Sequence, residues 1–444
     1  MPAQLSKHLY IAKRASSYVV HIHNIPGAKN TLKLNQIRVV KTCFRIALAL
    51  ALSVMLSLPA ASADSTITLT SPNAQTSGWF GFSVAINEGD PIVVVGAPQE
   101  TANTVPLAGH AYVLDTTTGL ITTLTSPTPQ STVFGRGFGY SVSVSGTTVV
   151  VGAPGETANA LSEAGNAYVF DATDGSLITT LTSPNALSDG HFGASVSISG
   201  STVVVGARDE TAIPGRPRSG NAYIFDGSTG SLITTLTNPT PKGLGNFGYS
   251  VSISGTTVAV GAPYEYATPS ALSSAGNAYV FDATDGSFIA TLTSPNAQVS
   301  GLFGFSVSVG GTTVAVGALD ETANLQPFAG RAYVFDATGG SLIATLTSPY
   351  AQAYGQFGYS VATTCTTVVV GALRETANGQ PGAGHAYSFD ATTGFLTTTL
   401  TSPNAQSSGY FGYSVAVSGT TVVVGAVVET GSGFAEAGHA YIFP

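Results

Sequence analysis

The chain has 444 residues, of which 43% are hydrophobic and only 9% are charged, so it can build a core and is not typical of a disordered protein. Residues 1–63 contain eight Lys and Arg and no acid, whereas residues 64–444 contain seven basic and 23 acidic residues. An acidic body with few, scattered positive charges is a poor phosphate-binding surface, which argues against a nucleic-acid partner.

The first predicted element is a secretory signal inside a leader that we bound at residues 1–63. Lys41 and Arg45 precede a 13-residue apolar run over residues 46–58, and the small residues 61–63 follow it. This order is typical of a cleaved signal peptide, and the run is shorter than the ~20 residues that span a bilayer. We expect cleavage near residue 63, a secreted or cell-surface location and no membrane insertion of the mature chain. A short membrane anchor is the alternative.

The chain has two cysteines, Cys43 and Cys365. Because Cys43 lies in the leader, we expect the mature chain to contain no disulfide and no cysteine-based zinc site. We expect Cys365 to be a small, buried apolar side chain.

Residues 64–444 are one unit repeated seven times. Each unit contains Phe-Gly, then Gly-Ala about sixteen residues later, and then G-x-A-Y. In the second unit, strands are predicted over residues 138–144, 147–153, 165–170 and 176–182, which are rich in Val and Thr. A four-stranded antiparallel unit repeated seven times predicts an all-β fold, a seven-bladed β-propeller.

The last unit lacks a fourth strand of its own. It stops at Phe443 and Pro444. The sequence STITLTSPNAQ, which matches the fourth strand and following loop of the other units, occupies residues 65–75, ahead of the first unit. We therefore predict that the N-terminal strand completes the last blade and closes the ring.

Phe-Gly followed by Gly-Ala-Pro, as at residues 96–98, 152–154 and 261–263, resembles the FG-GAP repeat of integrin-α-like propellers. The resemblance covers all seven units and implies an extracellular role in adhesion or ligand binding. Four units depart from it, because proline is replaced by Arg208, Leu319, Leu373 and Val427.

The family often places a D-x-D-x-D-G calcium loop between the first two strands. Here that connection is a short turn such as SGTT, at residues 145–148, 254–257 and 418–421. Calcium takes about six to eight oxygen ligands, many of them carboxylates, and these turns contain none. We expect no calcium at these turns, and we assign no metal site and no cofactor.

Two enzyme alternatives are weaker. Residues 167–177, AYVFDATDGSL, are similar to the core of quinone-type propeller blades, which leaves a quinone-type enzyme, or a hydrolase, as a minor alternative. His110, His385 and His439 take the variable position of G-x-A-Y, where the other units carry Asn166, Asn221, Asn277 and Arg331, and all seven are expected to be polar, outward strand residues. His191 is then the one histidine left in the body, so no Ser-His-Asp arrangement can be nominated and we expect no enzyme activity.

Thirteen acidic residues recur between units. A glutamate follows each Gly-Ala and is expected to order the loop through hydrogen bonds, with seven separate weak cation sites as the alternative: Glu100, Glu156, Glu210, Glu265, Glu321, Glu375 and Glu429. An aspartate ends the third strand of six units and is expected to accept backbone N–H bonds in the turn: Asp115, Asp171, Asp226, Asp282, Asp336 and Asp390.

Candidate binding residues lie where the units differ. The residue before Phe-Gly should surround one mouth of the central channel: Trp79, Gly137, His191, Asn246, Leu302, Gln356 and Tyr410. Loops on the same face add Tyr264, Tyr266, Arg216, Arg218, Phe328, Tyr350 and Tyr354. We expect Trp79 and Tyr410 to be exposed side by side and to form one aromatic sector with Tyr350 and Tyr354.

These residues favour a non-enzymatic binding or adhesion propeller that recognises a protein or a glycan. A purely structural surface or matrix protein is the main alternative, since exposed loops also tolerate sequence drift.

Overall fold

A computed structural model describes residues 13–14, 17–18, 66–89, 92–133, 135–266 and 272–444. The chain divides into two units, Met1–Leu58 and Pro59–Pro444. In the first unit, Lys13–Arg14 pairs with Ser17–Tyr18 in a short antiparallel hairpin. The apolar run of the predicted signal and its cleavage site lie outside the described residues, which contain strands but no helix.

The second unit is a ring of seven four-stranded antiparallel sheets, called blades 1 to 7 in chain order. In each blade we name the strands inner, second, third and outer. Blade 1 has Ser83–Ile86, Ile92–Ala97, His110–Asp115 and Ile121–Leu124; blade 2 has Ser141–Ser145, Thr148–Ala153, Asn166–Asp171 and Leu177–Thr182; blade 3 has Phe192–Ser199, Thr202–Ala207, Asn221–Asp226 and Leu232–Leu236. Blade 4 has Ser250–Ser254, Thr257–Ala262, Asn277–Asp282 and Phe288–Leu292; blade 5 has Phe303–Gly310, Thr313–Ala318, Arg331–Asp336 and Leu342–Leu346. Blade 6 has Phe357–Thr363, Thr367–Ala372, His385–Asp390 and Leu396–Leu400; blade 7 has Phe411–Ser418, Thr421–Ala426, His439–Phe443 and, as its outer strand, Ile67–Leu69.

The N-terminal strand closes the ring. Ile67–Leu69 runs antiparallel to His439–Phe443, with Thr68 opposite Tyr441. The prediction of a seven-bladed all-β propeller, completed in its last blade by the N-terminal strand, is confirmed.

The core lies between the blades. Second strands such as Thr148–Ala153 are runs of Val that are buried on both faces, because a neighbouring blade covers each face. Buried residues gather into seven apolar clusters, each shared by adjacent blades. In one of them Val94 of blade 1 packs with Phe138, Tyr168 and Phe170 of blade 2. The ring is therefore held together by apolar burial at every interface.

The signature glycines mark places where neighbouring backbones meet. A Cβ on Gly96, in the Gly-Ala of blade 1, would lie 2.0 Å from the carbonyl oxygen of Gly139, in the Phe-Gly of blade 2. The Ser83 hydroxyl donates a hydrogen bond to that same oxygen at 2.9 Å. At the closing interface, a Cβ on Gly425 would meet the Gly81 oxygen at 2.0 Å. Glycine is thus needed at these positions because no side chain fits between the blades.

The prediction that Cys365 is buried was wrong. Cys365 is partly buried in the turn that joins Phe357–Thr363 to Thr367–Ala372. The turn stands where other units have SGTT and lies at the end of a hairpin, and its Thr364 carbonyl accepts a hydrogen bond of 3.3 Å from the Thr313 hydroxyl of blade 5.

Candidate functional site on the long-loop face

Two kinds of connection open on one side of the ring. In an antiparallel four-stranded blade, the loop between the second and third strands and the link to the next blade lie at the same end of the strands. We call this side the long-loop face. The opposite face carries the short turns, such as residues 146–147 and 172–176 of blade 2.

Directly beneath the long-loop face, each blade buries the glutamate that follows Gly-Ala. All seven are fully buried, and each accepts a hydrogen bond from the tyrosine hydroxyl of G-x-A-Y in its own blade. The pairs are Glu100 with Tyr112, Glu156 with Tyr168, Glu210 with Tyr223, Glu265 with Tyr279, Glu321 with Tyr333, Glu375 with Tyr387 and Glu429 with Tyr441. The glutamates therefore hold hydrogen bonds, as predicted.

A third member of each group comes from the preceding blade. Ser71, which follows the outer strand of blade 7, donates a hydrogen bond of 2.5 Å to Glu100 of blade 1. Ser126, which follows the outer strand of blade 1, reaches the Tyr168 hydroxyl of blade 2 at 3.4 Å. In blade 4 the amide of Asn238 donates to Glu265. We call each group of glutamate, tyrosine and serine or asparagine an inter-blade clasp.

The variable position of G-x-A-Y was predicted to be polar and outward, and this was wrong for six of the seven. His110, Asn166, Asn221, Asn277, His385 and His439 are buried, and Arg331 is partly buried. In blade 2, Asn166 donates to Glu156 at 3.0 Å, and in blade 6, Nδ1 of His385 lies 3.1 Å from Glu375. The position is buried because the long loop folds back over the start of the third strand.

Burial raises the pKa of four clasp glutamates above the ordinary value of 4.5: Glu156, Glu210, Glu265 and Glu321. Burial, and next the neighbouring glutamate charge, also raise the pKa of their tyrosine partners Tyr168, Tyr223, Tyr279 and Tyr333. The phenol proton therefore stays on the tyrosine, which remains the hydrogen-bond donor.

The recurring aspartates order the turns of the opposite face, as predicted. Oδ1 of Asp171 accepts the backbone N–H of Thr173 at 2.8 Å, and Asp390 accepts those of Thr392 and Thr393. The Thr392 hydroxyl, followed by other hydrogen bonds of the turn, lowers the pKa of Asp390 to about 2. These carboxylates serve the backbone and lie away from the long-loop face.

Trp79 and Tyr410 are partly buried, so the prediction that both are exposed was wrong. Both adopt a left-handed backbone, with φ of 60° and 57°, in a tight turn that places Trp79 over Phe82. The Trp79 and Phe82 rings are stacked, with an angle of 4° between their planes and 5.9 Å between their centroids. Within the described residues, no ring contact joins Trp79 to Tyr410.

Tyr350 and Tyr354 are exposed, at 59% and 58%, but at separate points of the face. The Tyr354 ring stacks on Phe328 of blade 5, with centroids 5.0 Å apart. The Tyr350 ring stacks on His385 of blade 6, which lies beside the clasp glutamate Glu375, with centroids 5.6 Å apart. The single aromatic sector predicted for these residues is therefore replaced by separate stacked pairs.

His191 is a structural residue. It is 4% exposed; its Nδ1 lies 2.7 Å from Asp209, and its Nε2 lies 3.1 Å from Glu163. Arg136 donates to Glu163 at 2.7 Å and completes the group. The interpretation of His191 as an accessible ligand residue was wrong, because its backbone is hydrogen-bonded to the blade 2 loop and its ring lies between that loop and blade 3.

Tyr264 and Tyr266 line a cavity of about 520 Å³ at the long loops of blades 3 and 4. They are 37% and 49% exposed. Arg208, Asp209 and Arg218 of blade 3 also line it. The structure thus brings these two predicted tyrosines together at one concave site.

Sequence reasoning missed a set of aromatic side chains around the axis of the propeller. The residue after Phe-Gly is aromatic in six blades, and successive ring centroids lie 4.9 to 5.2 Å apart: Phe82, Tyr140, Tyr249, Phe305, Tyr359 and Tyr413. Blade 3 has Ala194 instead, and the Arg208 guanidinium lies between Tyr140 and Tyr249. We call the six aromatics and Arg208 the central ring. Its signal in the sequence is the recurrence of Phe or Tyr after Phe-Gly.

Within the part of the chain that the structure describes, no group of three or more His, Cys, Asp or Glu side chains could hold a metal ion. None of those residues forms a helix long and apolar enough to cross a bilayer.

The FG-GAP repeat family matches six segments that reach from blade 2 to blade 7 and cover more than half of the chain: residues 128–170, 176–225, 240–281, 287–335, 341–389 and 396–443. No curated protein matches the chain significantly. Blade 1 lies outside the matched segments, but its Gly96 and Glu100 make the same contacts as their counterparts in other blades. The sequence match and the propeller fold agree: the chain belongs to the FG-GAP repeat family.

Proposed function

We propose that the chain is an exported, non-enzymatic binding or adhesion propeller that contacts a protein or a glycan through its long-loop face. One observation carries the proposal: on a framework of near-identical blades, the exposed aromatics of this face differ from sector to sector. Tyr350, Tyr354 and Tyr266 each expose about half of their surface or more. Exposed aromatics on loops held by a rigid scaffold are typical of binding hot spots.

The side chains on which these aromatic rings stack support the same proposal. Tyr354 stacks on Phe328, and Tyr350 stacks on His385, whose Nδ1 lies 3.1 Å from the clasp residue Glu375. Because each exposed ring is already held by a neighbour, it loses little conformational entropy when a ligand covers it. The recurring carboxylates are engaged in clasps and turns, which favours binding over catalysis.

The test is an array of polysaccharides and extracellular proteins probed with the labelled full chain. We expect at least one ligand whose affinity falls about tenfold or more in the double variant Tyr350→Ala, Tyr354→Ala. The matched control is Phe395→Ala, which removes a 75% exposed aromatic from the opposite face and should leave affinity unchanged. No ligand on the array, or equal loss in the control, would contradict the proposal.

A further inference from the structure

We propose that the cavity at blades 3 and 4 binds a sugar that carries a carboxylate, such as a uronic acid unit of a polysaccharide. This inference rests on the proposed function and names a ligand class for one part of the long-loop face. The cavity of about 520 Å³ falls within the range of roughly 300–1,000 Å³ that is usual for ligand sites.

Positive charge is concentrated here although the propeller as a whole is acidic. Seven Lys and Arg residues are present in residues 64–444. Arg208 and Arg218 line the cavity, and Arg216 and Lys242 lie within two residues of lining positions. This sector of the face therefore attracts an anion more strongly than the rest of the propeller does.

Asp209 is an acidic residue that lines the cavity, and its negative charge is compensated by neighbouring hydrogen-bond donors and positive charges. It accepts a hydrogen bond from Asn246 at 2.9 Å, and it lies 2.7 Å from Nδ1 of His191 and 3.4 Å from Nε of Arg208. Burial alone would raise the pKa of Asp209, but the hydrogen bond from His191 and the charge of Arg208 lower it. Asp209 is thus an ionised group with several partners, and Arg218, at 3.7 Å, is more distant than His191, Asn246 and Arg208.

Arg218 is placed to receive a carboxylate. Its side chain is 60% exposed, and its Nε lies 3.7 Å from Asp209, beyond hydrogen-bonding distance. Its carbonyl accepts the backbone N–H of Asn246 at 3.0 Å, which fixes the arginine loop to the opposite wall of the cavity. An arginine held in this way can donate its two Nη groups to a carboxylate as a bidentate pair.

The remaining walls match a sugar ring better than a small anion. Tyr264 and Tyr266 offer partly exposed aromatic faces, and Tyr264 is held edge-on against Tyr249, with centroids 5.9 Å apart. Ser273 and Ser274 add hydroxyl groups to the lining. A pyranose has an apolar C–H face for the rings and hydroxyls for the serines, whereas phosphate would use the arginine alone.

The test is isothermal titration calorimetry of the full chain with a galacturonic acid trisaccharide and with a neutral galactose trisaccharide. We expect the acidic sugar to bind at least about tenfold more tightly, with an affinity that falls as salt is added. Arg218→Met and Tyr266→Ala should each weaken it about tenfold or more. Arg374→Met removes an exposed charge just before the blade 6 clasp glutamate and is the matched control that should bind normally.

Thermal melting establishes that each variant is folded. Equal affinity for the neutral sugar, normal binding by folded Arg218→Met, or equally tight binding of inorganic phosphate or of a glutamate tripeptide would overturn the inference. If the acidic sugar fails but the array yields a ligand lost in the Tyr350 and Tyr354 variant, the inference fails and the proposed function stands. If neither experiment yields a ligand, both fail.

Discussion

Arg208 fills the gap that the small side chain of Ala194 leaves in the central ring. Its guanidinium lies 5.9 Å from the Tyr140 centroid and 4.9 Å from the Tyr249 centroid, in the neighbouring blades. In every other blade the position of Ala194 is aromatic and that of Arg208 is Pro, Leu or Val. The two departures of blade 3 from the repeat are therefore complementary.

This relationship predicts strong coupling between the two positions. Ala194→Tyr alone should destabilise the propeller by about 1–3 kcal/mol, because the new ring and Arg208 compete for one space. The double variant Ala194→Tyr, Arg208→Pro restores the pattern of blades 1, 2 and 4 and should recover most of that loss. Urea unfolding of both single variants and the double variant measures the coupling, and purely additive effects would contradict it.

Ring closure predicts the result of removing the N-terminal strand. Deletion of residues 64–70 should leave the edge of His439–Phe443 unpaired and cause aggregation, which size-exclusion chromatography would detect. A peptide of residues 64–75 added in trans should restore the monomer, whereas a peptide of the same composition in scrambled order should not. A deletion variant that stays monomeric, with an unchanged melting temperature, would disprove the role of this strand.

The clasp carboxylates predict a pH dependence of stability. Because burial raises the pKa of Glu156 above 4.5, the folded chain holds this proton more tightly than the unfolded chain. The stability that the protonated Glu156 side chain adds to the folded state is thus fully present below pH 4.5. It is lost as pH rises through the raised pKa. The free energy of unfolding of the native chain, relative to Glu156→Gln, should decline as pH rises above 4.5 and through the raised pKa.

Urea denaturation at successive pH values measures this difference. Glu88→Gln, which changes an exposed glutamate of blade 1, is the control that should show no such decline. A constant or rising difference for Glu156→Gln would mean that the clasp favours the ionised carboxylate.

The sequence predicted the blades well because their determinants are local. The Val run of Thr148–Ala153 and the turn at Asp171 are visible within one unit, and the structure places both as predicted. The burial of His191 could not be predicted in this way, since it depends on Glu163 and Asp209, which two different blades contribute. Contacts between units depend on how the blades stack, which no single repeat encodes.

The candidate site could be predicted only in part for the same reason, because it too depends on contacts between blades. The sequence shows that Tyr264 and Tyr266 are aromatic loop residues. It could not predict the cavity that they line, because the other wall of that cavity belongs to blade 3. The predicted exposure of Trp79 failed because the left-handed turn before Phe-Gly, with φ of 60°, places the indole over Phe82.

Calcium is predicted to have no effect on stability. The short turns at residues 145–148, 254–257 and 418–421 contain no carboxylate. A ligand that binds only the folded state adds about 2.7 kcal/mol at a hundredfold excess over Kd, so about 1 mM calcium would reveal a site with a Kd of about 10 μM or lower. Melting temperatures in millimolar calcium, in magnesium and with a chelator should agree, and a rise of several degrees in calcium alone would reveal a metal site.

Export is the remaining prediction from the leader. We expect mass spectrometry of the secreted protein to find Asp64 at the N-terminus, because small residues at 61 and 63 precede it. Replacing Ala61 and Ala63 by a bulky residue such as Leu should block cleavage, while the same change at Ala74 should not. Recovery of the uncleaved native chain from a membrane fraction would identify the leader as an anchor.

The inter-blade clasp has a consequence for folding. Each clasp takes its serine or asparagine from one blade and its glutamate and tyrosine from the next, as Ser71 does with Glu100 across the closing interface. A blade without its predecessor would therefore leave a buried carboxylate short of a hydrogen-bond donor, which is costly. Open repeat arrays can unravel from either end, whereas here no unit is complete by itself. The whole ring should consequently melt in a single cooperative transition, with no stable intermediate of fewer blades.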